Sequence, residues 1–369
     1  MRRTATCCAA LLTASLLAVP AIAEPAPGVR LLGEQVLAPG LQFQGTTVGG
    51  LSGIDLDPRT GDYVLICDDR SDKQPARFYT ASVDVDTNGL GPIELTGTHP
   101  LLRPDGSTYP KGTVDPEDLR VDPWTGGYLW SQEGERTLDP LVLIDPSIQT
   151  ARTDGTPGRT LPLPDVERMS ADEHGPRQNL AIEGVTFAAA GTLVVSAVEG
   201  PLWQDGPAAT TERGALSRIT VQTRAGHLLA QYAYPQEPVF AAPNPPGAFA
   251  TTGVPAILAV DPVDPPRFLV LERSFVTGVG NKIRLFEIDT RGATNVASRD
   301  SLAAGKSVAP VRKRLVADLA DLDLSTVDNV EGMTWGPRLP TGERTLLLVS
   351  DDNFAASQVT QLIALAVRR

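Results

Sequence analysis

The chain of 369 residues is poor in cysteine and histidine, with three of each, and only 5% of it is aromatic. Cys7 and Cys8 stand before an apolar stretch, Ala9 to Val19, so they make no lipoprotein box. That stretch follows Arg2 and Arg3 and runs to the small-x-small sequence Ala21-Ile22-Ala23. This is the pattern of a secretory signal peptide, too short to span a bilayer as a stable helix. A retained amphipathic start is the alternative. The expectation is cleavage near Ala23, export to a periplasm or the medium, and one mature domain over residues 24–369.

Cleavage leaves Cys67 alone, which excludes an intramolecular disulfide; following YVLI, it reads as a small buried apolar residue. No later segment approaches eighteen apolar residues, so no membrane span is expected after the leader. His99, His174 and His227 sit at no ligand spacing, which argues against zinc. Basic charge is short too. Lys and Arg number 32 against 44 Asp and Glu, a formal net charge of -12, and nucleic acid is excluded as a partner for want of basic surface. Long helical patterns are missing, while 34 Gly and 32 Pro suit many short strands joined by turns.

What is present is a repeat. Five stretches can be aligned: GLSGIDLDPRTGDYVLICDDRS (50–71), DPEDLRVDPWTGGYLWSQEGER (115–136), LAIEGVTFAAAGTLVVSAVEGP (180–201), VPAILAVDPVDPPRFLVLERSF (254–275) and NVEGMTWGPRLPTGERTLLLVSDDNF (329–354). Each offers a short strand, a turn rich in Asp, Pro or Gly, a β-branched or aromatic strand, and an acidic end. Ser52 to Asp68, Glu117 to Glu133, Glu183 to Glu199 and Ala256 to Glu272 all span sixteen positions. Glu331 to Asp351 spans twenty, with the surplus in PRLPTGE. Successive units start about 65 to 75 residues apart, room for four strands. The last unit runs out after QLIALAVRR, and VRLLGEQVL (29–37) can supply its fourth strand. The expected fold is all-β: a propeller of four-stranded blades, closed by pairing the two ends. Five blades are favoured, and six if 236–254 or 291–310 hides strands. A solenoid of the same units would need capping repeats, and none is evident.

In a hairpin, the start of the first strand and the end of the second lie side by side. Glu183 is thus placed beside Glu199, Glu117 beside Glu133, Glu331 beside Asp351 and Asp352, and Ser52 beside Asp68 and Asp69, with Glu272 ending the fourth hairpin. With first strands innermost, these groups converge on the mouth of the central channel. Carboxylates so close repel unless a proton or cation intervenes, and oxygen donors from several blades suit calcium. A merely solvated acidic rim is the plainer alternative. Arg70, Arg136, Arg273 and Lys282 share the rim and could hold an anionic substrate, or only neutralise neighbouring acids.

IEGVTF with TLVVSAVEG, and VEGMTW with TLLLVSDDNF, resemble an exported phytase-like family described as having esterase-like activity and related to calcium-dependent β-propeller phytases. The resemblance spans about residues 28 to 366. It implies a propeller hydrolase with a calcium-binding acidic mouth that acts on phosphate or other esters; the partner expected is a small-molecule ester, phosphorylated by preference, and the chain is expected to be a monomer. By motif position it makes Glu183 and Glu331 the candidate catalytic acids, with Asp351 and Asp352 at the acidic strand end. Ser52 and Ala256 depart from the motif where a glutamate is expected, and CDDRS at 67–71 only partly echoes the phytases' Asp-Asp-Pro-Ala block.

GGLSGI (49–54) has Ile54 where a nucleophile elbow requires glycine, and AAGKS (303–307) lacks the strand-to-helix setting of a phosphate loop. Two rival readings remain. One is a non-catalytic propeller that binds a ligand or protein of the envelope. The other is a metal-free carboxylesterase using Ser52, with His174 as its base. The tryptophans Trp124, Trp130 and Trp335 read as packing, with Trp203 a candidate pocket wall.

Overall fold

The five repeat units become five four-stranded antiparallel sheets in a computed structural model that describes residues 28–305 and 307–368. The leader expected at 1–23 lies outside the described residues. Blade 1 runs Leu51–Leu56, Tyr63–Cys67, Arg77–Asp86 and Gly89–Pro100 from the axis outward. Blade 2 is Pro116–Val121, Tyr128–Gln132, Ser147–Ala151 and Pro157–Leu161, and blade 3 is Ile182–Ala188, Leu193–Val198, Leu216–Thr223 and Leu228–Pro235. Blade 4 is Ala250–Ala259, Arg267–Val276, Gly280–Asp289 and Arg312–Asp318. Blade 5 is Val330–Arg338, Arg344–Ser350, Gln361–Arg368 and, outermost, Gly28–Val36.

The ring is a five-bladed β-propeller, closed as the sequence suggests. Gly28 pairs with Arg368 and Val36 with Gln361, antiparallel along the strand. A sixth blade is excluded, because 236–249 and 291–310 carry no strand among the described residues.

Each blade is buried on both faces, which explains runs such as Leu346-Leu347-Leu348-Val349 that do not alternate with polar residues. Successive side chains point to opposite faces. Leu346 and Leu348 therefore enter a core shared with Leu269 and Leu285 of blade 4, while Leu347 and Val349 enter one shared with Leu51 and Tyr79 of blade 1. Equivalent cores fill the gaps between blades 3 and 4, 1 and 2, and 2 and 3. At roughly 1.5–3 kcal/mol for each large apolar side chain buried, these five wedges supply the main stabilising term.

The inner strands approach one another closely. A Cβ on Gly53 would lie 2.9 Å from the Asp118 Cα, and one on Gly184 would lie 2.8 Å from the Ala256 Cα. The glycine after the motif glutamate is thus a spacing requirement between blades. Deeper along the axis, Arg120 donates to the carbonyls of Val185, Ile54 and Met333 at 2.7, 2.9 and 2.8 Å and to the Asp118 carboxylate at 2.8 Å. Its guanidinium ties blades 1, 2, 3 and 5 together below the mouth.

Candidate functional site

In four blades the innermost hairpin makes one pair at its open end and then bulges, and in blade 4 the same bulge follows four pairs. The first pairs are Leu51–Cys67, Pro116–Gln132, Ile182–Val198, Gly253–Arg273 (the last pair before the bulge of a longer ladder) and Val330–Ser350. A bulge re-aims the side chain it contains. Ser52, Glu117, Glu183, Val254 and Glu331 occupy this place, and one residue after the partner in each of these pairs stand Asp68, Glu133, Glu199, Ser274 and Asp351. Three of the first set and four of the second are acidic, so seven carboxylates converge on one rim of the axis.

The fourth unit corrects the sequence alignment. Ala256 pairs with Leu271, and the residues matching Glu183 and Glu199 are Val254 and Ser274. Eight residues separate Ala259 from Phe268, against four between Ala188 and Leu193, so the true spacing here is twenty. Glu272 consequently falls outside the cluster. It is fully buried between blades 3 and 4, where it accepts bonds from Tyr234 Oη at 3.0 Å, Lys313 Nζ at 2.8 Å and Arg284 Nη2 at 3.2 Å.

The cluster contains two groups of three. Carboxylate oxygens of Asp115, Glu117 and Glu133 lie within 4.8 Å of one another, as do those of Glu133, Glu183 and Glu199, with Glu133 common to both. Oxygens that share one calcium at 2.3–2.6 Å fall at about this separation. Burial, and then neighbouring carboxylates, push Asp68, Glu117, Glu133, Glu183 and Asp351 well above the ordinary carboxylate range. Asp115 is raised to about 7, burial outweighing the opposing charge of Arg70. Glu199 and Glu331 are also raised by burial, against the pull of Arg273. Among the described residues, Glu199 Oε2 is buried without a hydrogen-bond partner. A crowded, desolvated oxygen set with an unmet acceptor fits a hard divalent cation.

Arg273 is the cation built into the cluster. Its Nη2 lies 2.9 Å from Glu199 Oε1, and its Nη1 donates to Glu331 and Asn329. Arg70 sits at the edge, 3.4 Å from Asp115 and 2.5 Å from Glu135. The remaining cations named from sequence lie elsewhere. Arg136 spends its guanidinium on the carbonyls of Ser170, Ala171 and Asp172, and with Arg177 it packs over the Trp203 ring. Lys282, on the third strand of blade 4, pairs with Asp318 at 2.8 Å.

Asp69 and Asp352 organise loops. Asp69 accepts from Arg77 at 2.7 Å and from the backbone N–H of Asp72, Lys73 and Gln74. Burial raises its pKa, but these donors bring it below the usual range. Asp352 Oδ1 accepts from the N–H of Gly50 at 2.9 Å and of Phe354 at 3.0 Å. The acid that reaches the mouth from blade 1 is Asp68, which the sixteen-residue offset from Ser52 already marked. Asp115 and Asn329 were not singled out from sequence. Asn329 donates to Glu331 at 3.1 Å and to Asp351 at 3.2 Å.

Among the described residues, Ser52 and His174 form no dyad. Ser52 donates to the Glu117 carbonyl at 2.6 Å, and His174 Nε2 lies 2.9 Å from Asp300. A cavity of about 500 Å³ opens directly beside the cluster, with Glu199, Arg273 and Asn329 in its wall.

Fold and site together define a five-bladed propeller with a carboxylate-lined mouth. The chain belongs to the Phytase-like family, described as "Esterase-like activity of phytase", which matches residues 46–354. No curated protein matches it. Among solved structures it is similar to an exo-β-1,3-galactanase from Phanerochaete chrysosporium, at 12% identity and a TM-score of 0.46, over 90% of this chain and 64% of that one. An N-acetylgalactosamine deacetylase from F. plautii gives 10% identity and a TM-score of 0.45, over 93% and 95% of the two chains. A protein of unknown function from Dyadobacter fermentans gives 10% and 0.41, over 93% and 100%.

Proposed function

We propose that this member of the Phytase-like family is an exported hydrolase that cleaves phosphate esters at the propeller mouth with the help of calcium. The observation that carries the reading is the pair of tricarboxylate groups joined through Glu133, beside the unpartnered Glu199 Oε2. Asp115, Glu117, Glu133, Glu183 and Glu199 would hold the cation. When bound, it would neutralise these acids and withdraw charge from a phosphoryl oxygen.

The chain's own residues divide the remaining work. Arg273 is held rigid between Glu199 and Glu331, with its charge at the edge of the cavity, where it attracts the phosphate. Glu331 is committed to Arg273 and Asn329. By contrast, among the described residues no hydrogen bond reaches the carboxylate of Glu117 or of Glu183, and of these two we assign the motif glutamate Glu183 to take the proton of an attacking water. Arg120 fixes the inner strands of blades 1, 3 and 5 to blade 2 beneath these groups.

The test is phosphate release from a panel of phosphate esters by residues 24–369, with calcium or with chelator. The expected result is calcium-dependent release that falls about 100-fold or more in Glu183→Gln while the variant stays folded. No release from folded, calcium-loaded protein overturns the reading and leaves a binding propeller.

A further inference from the structure

The cavity beside the cluster has a composition that selects among phosphate esters. One wall is aromatic. Phe249 is 65% exposed, and its ring lies 6.1 Å from that of Phe275 at a 35° tilt. The face of an aromatic ring carries partial negative charge and accepts the C–H groups of a saturated ring. The rest of the lining supplies uncharged donors and acceptors, the side chains of Asn179, Asn353 and Gln358, with Asn281 directly across the sheet from Phe275. Among the described residues, Asn281 Oδ1 is buried without a hydrogen-bond partner. A buried amide oxygen without a donor is costly, and the residue that carries it lines the cavity.

Charge decides what is excluded. Arg273 is the one cation among the described residues that line the cavity, and it is already shared by Glu199 and Glu331; Asp328 adds a further negative charge. A ligand with many phosphates would meet repulsion here with one arginine to offset it. A bare hydrocarbon or aryl group would cover the phenylalanines but leave the amides unmet. An uncharged ring with a C–H face and several hydroxyls suits both the phenylalanines and the amides of this lining.

We infer that the cavity is a subsite for a neutral polyhydroxylated ring, so that the preferred substrate is a sugar carrying a single phosphate, with the phosphate at the carboxylate mouth. This rests on the phosphoesterase reading above. In the reaction a water oxygen bonds to phosphorus and the P–O bond to the sugar breaks. Glu183 takes a proton from the water, and the departing sugar oxygen takes one from solvent.

Two measurements separate the subsite from the activity. The first is binding of free glucose to the full mature chain in chelator, read by saturation-transfer NMR. Phe249 is exposed, so Phe249→Ala should fold, and it should abolish the transfer signal; Asn281→Ala should weaken it. The second is kcat/KM, in calcium, for glucose 1-phosphate, phenyl phosphate, propyl phosphate and phytate. Glucose 1-phosphate should lead the others by at least tenfold, and Phe249→Ala should reduce that lead through KM. Glucose binding that needs Phe249, without phosphate release, would uphold the subsite and overturn the phosphoesterase. Phosphate release with phytate or phenyl phosphate preferred, or with a sugar preference unchanged in Phe249→Ala, would overturn the subsite alone.

Discussion

Arg273 of blade 4 reaches across the rim so that its Nη2 lies 2.9 Å from Glu199 Oε1 of blade 3, while its Nη1 donates to Glu331 of blade 5. One guanidinium thus compensates two buried acids from its neighbours. In Arg273→Met both acids lose their built-in counter-charge. Denaturant unfolding in chelator should show a loss of about 3–5 kcal/mol. Excess calcium should restore much of it, since a divalent cation can supply the missing charge. An equal loss with and without calcium would mean that these acids hold no cation.

Gly253 leaves room for the same carboxylate. A Cβ at this position would stand 2.2 Å from Glu199 Oε1, and its nearest neighbours are all Glu199 side-chain atoms. Gly253→Ala should therefore displace Glu199 without disturbing the backbone. Calorimetric calcium titration should show affinity lowered about tenfold or more, with the melting temperature nearly unchanged. Unaltered affinity would remove Glu199 from the ligand set.

The acid cluster also sets a pH dependence. Asp115 titrates near 7 in the folded chain, and Glu133 and Glu183 are pushed well above their ordinary values, by burial first and neighbouring carboxylates second. A raised acid binds more protons folded than unfolded. Its contribution is complete below the unfolded value near 4 and is lost as pH rises through the folded value. In chelator the melting temperature should fall by at least a few degrees between pH 5 and pH 8. Calcium should flatten that slope. Glu133→Gln should raise the melting temperature in chelator at pH 8 while weakening calcium binding.

Arg120 presents a purely structural case. It is 2% exposed and bonds three carbonyls from other blades as well as Asp118. Burial raises Asp118 to about 6 against the opposing charge of Arg120. Arg120→Met should cost about 3–5 kcal/mol near neutral pH, because Asp118 is left buried and unpaired. Adding Asp118→Asn should recover part of the loss in equilibrium unfolding.

The strands, their grouping in fours and the ring closure could all be read from the chain. A blade buried on both faces writes continuous apolar runs such as YVLIC and TLLLVS, and the turns between them are rich in Gly, Pro and Asp. The acid pairs Glu117–Glu133, Glu183–Glu199 and Glu331–Asp351 were equally legible, since a bulged hairpin holds its open ends at a fixed offset whenever the turn length is constant. In blade 4 the turn is four residues longer, and the chain offered Ala256 and Glu272 as a false match at the familiar spacing.

The sequence by itself determined the repeat, its period and the acidic character of one rim, because these depend on local periodicity and turn chemistry. Only the tertiary structure decided which charges share that rim. Glu272, Arg136 and Lys282 lie in or close after the repeat hairpins in the chain, as Glu199 and Arg273 do, yet Tyr234, Ser170 and Asp318 engage them elsewhere. Those partners come from other strands and loops, and spacing along the chain carries no record of them. Likewise the cavity joins Phe249 of blade 4 to Asn353 of blade 5, about a hundred residues apart, which only the closure of the ring brings together.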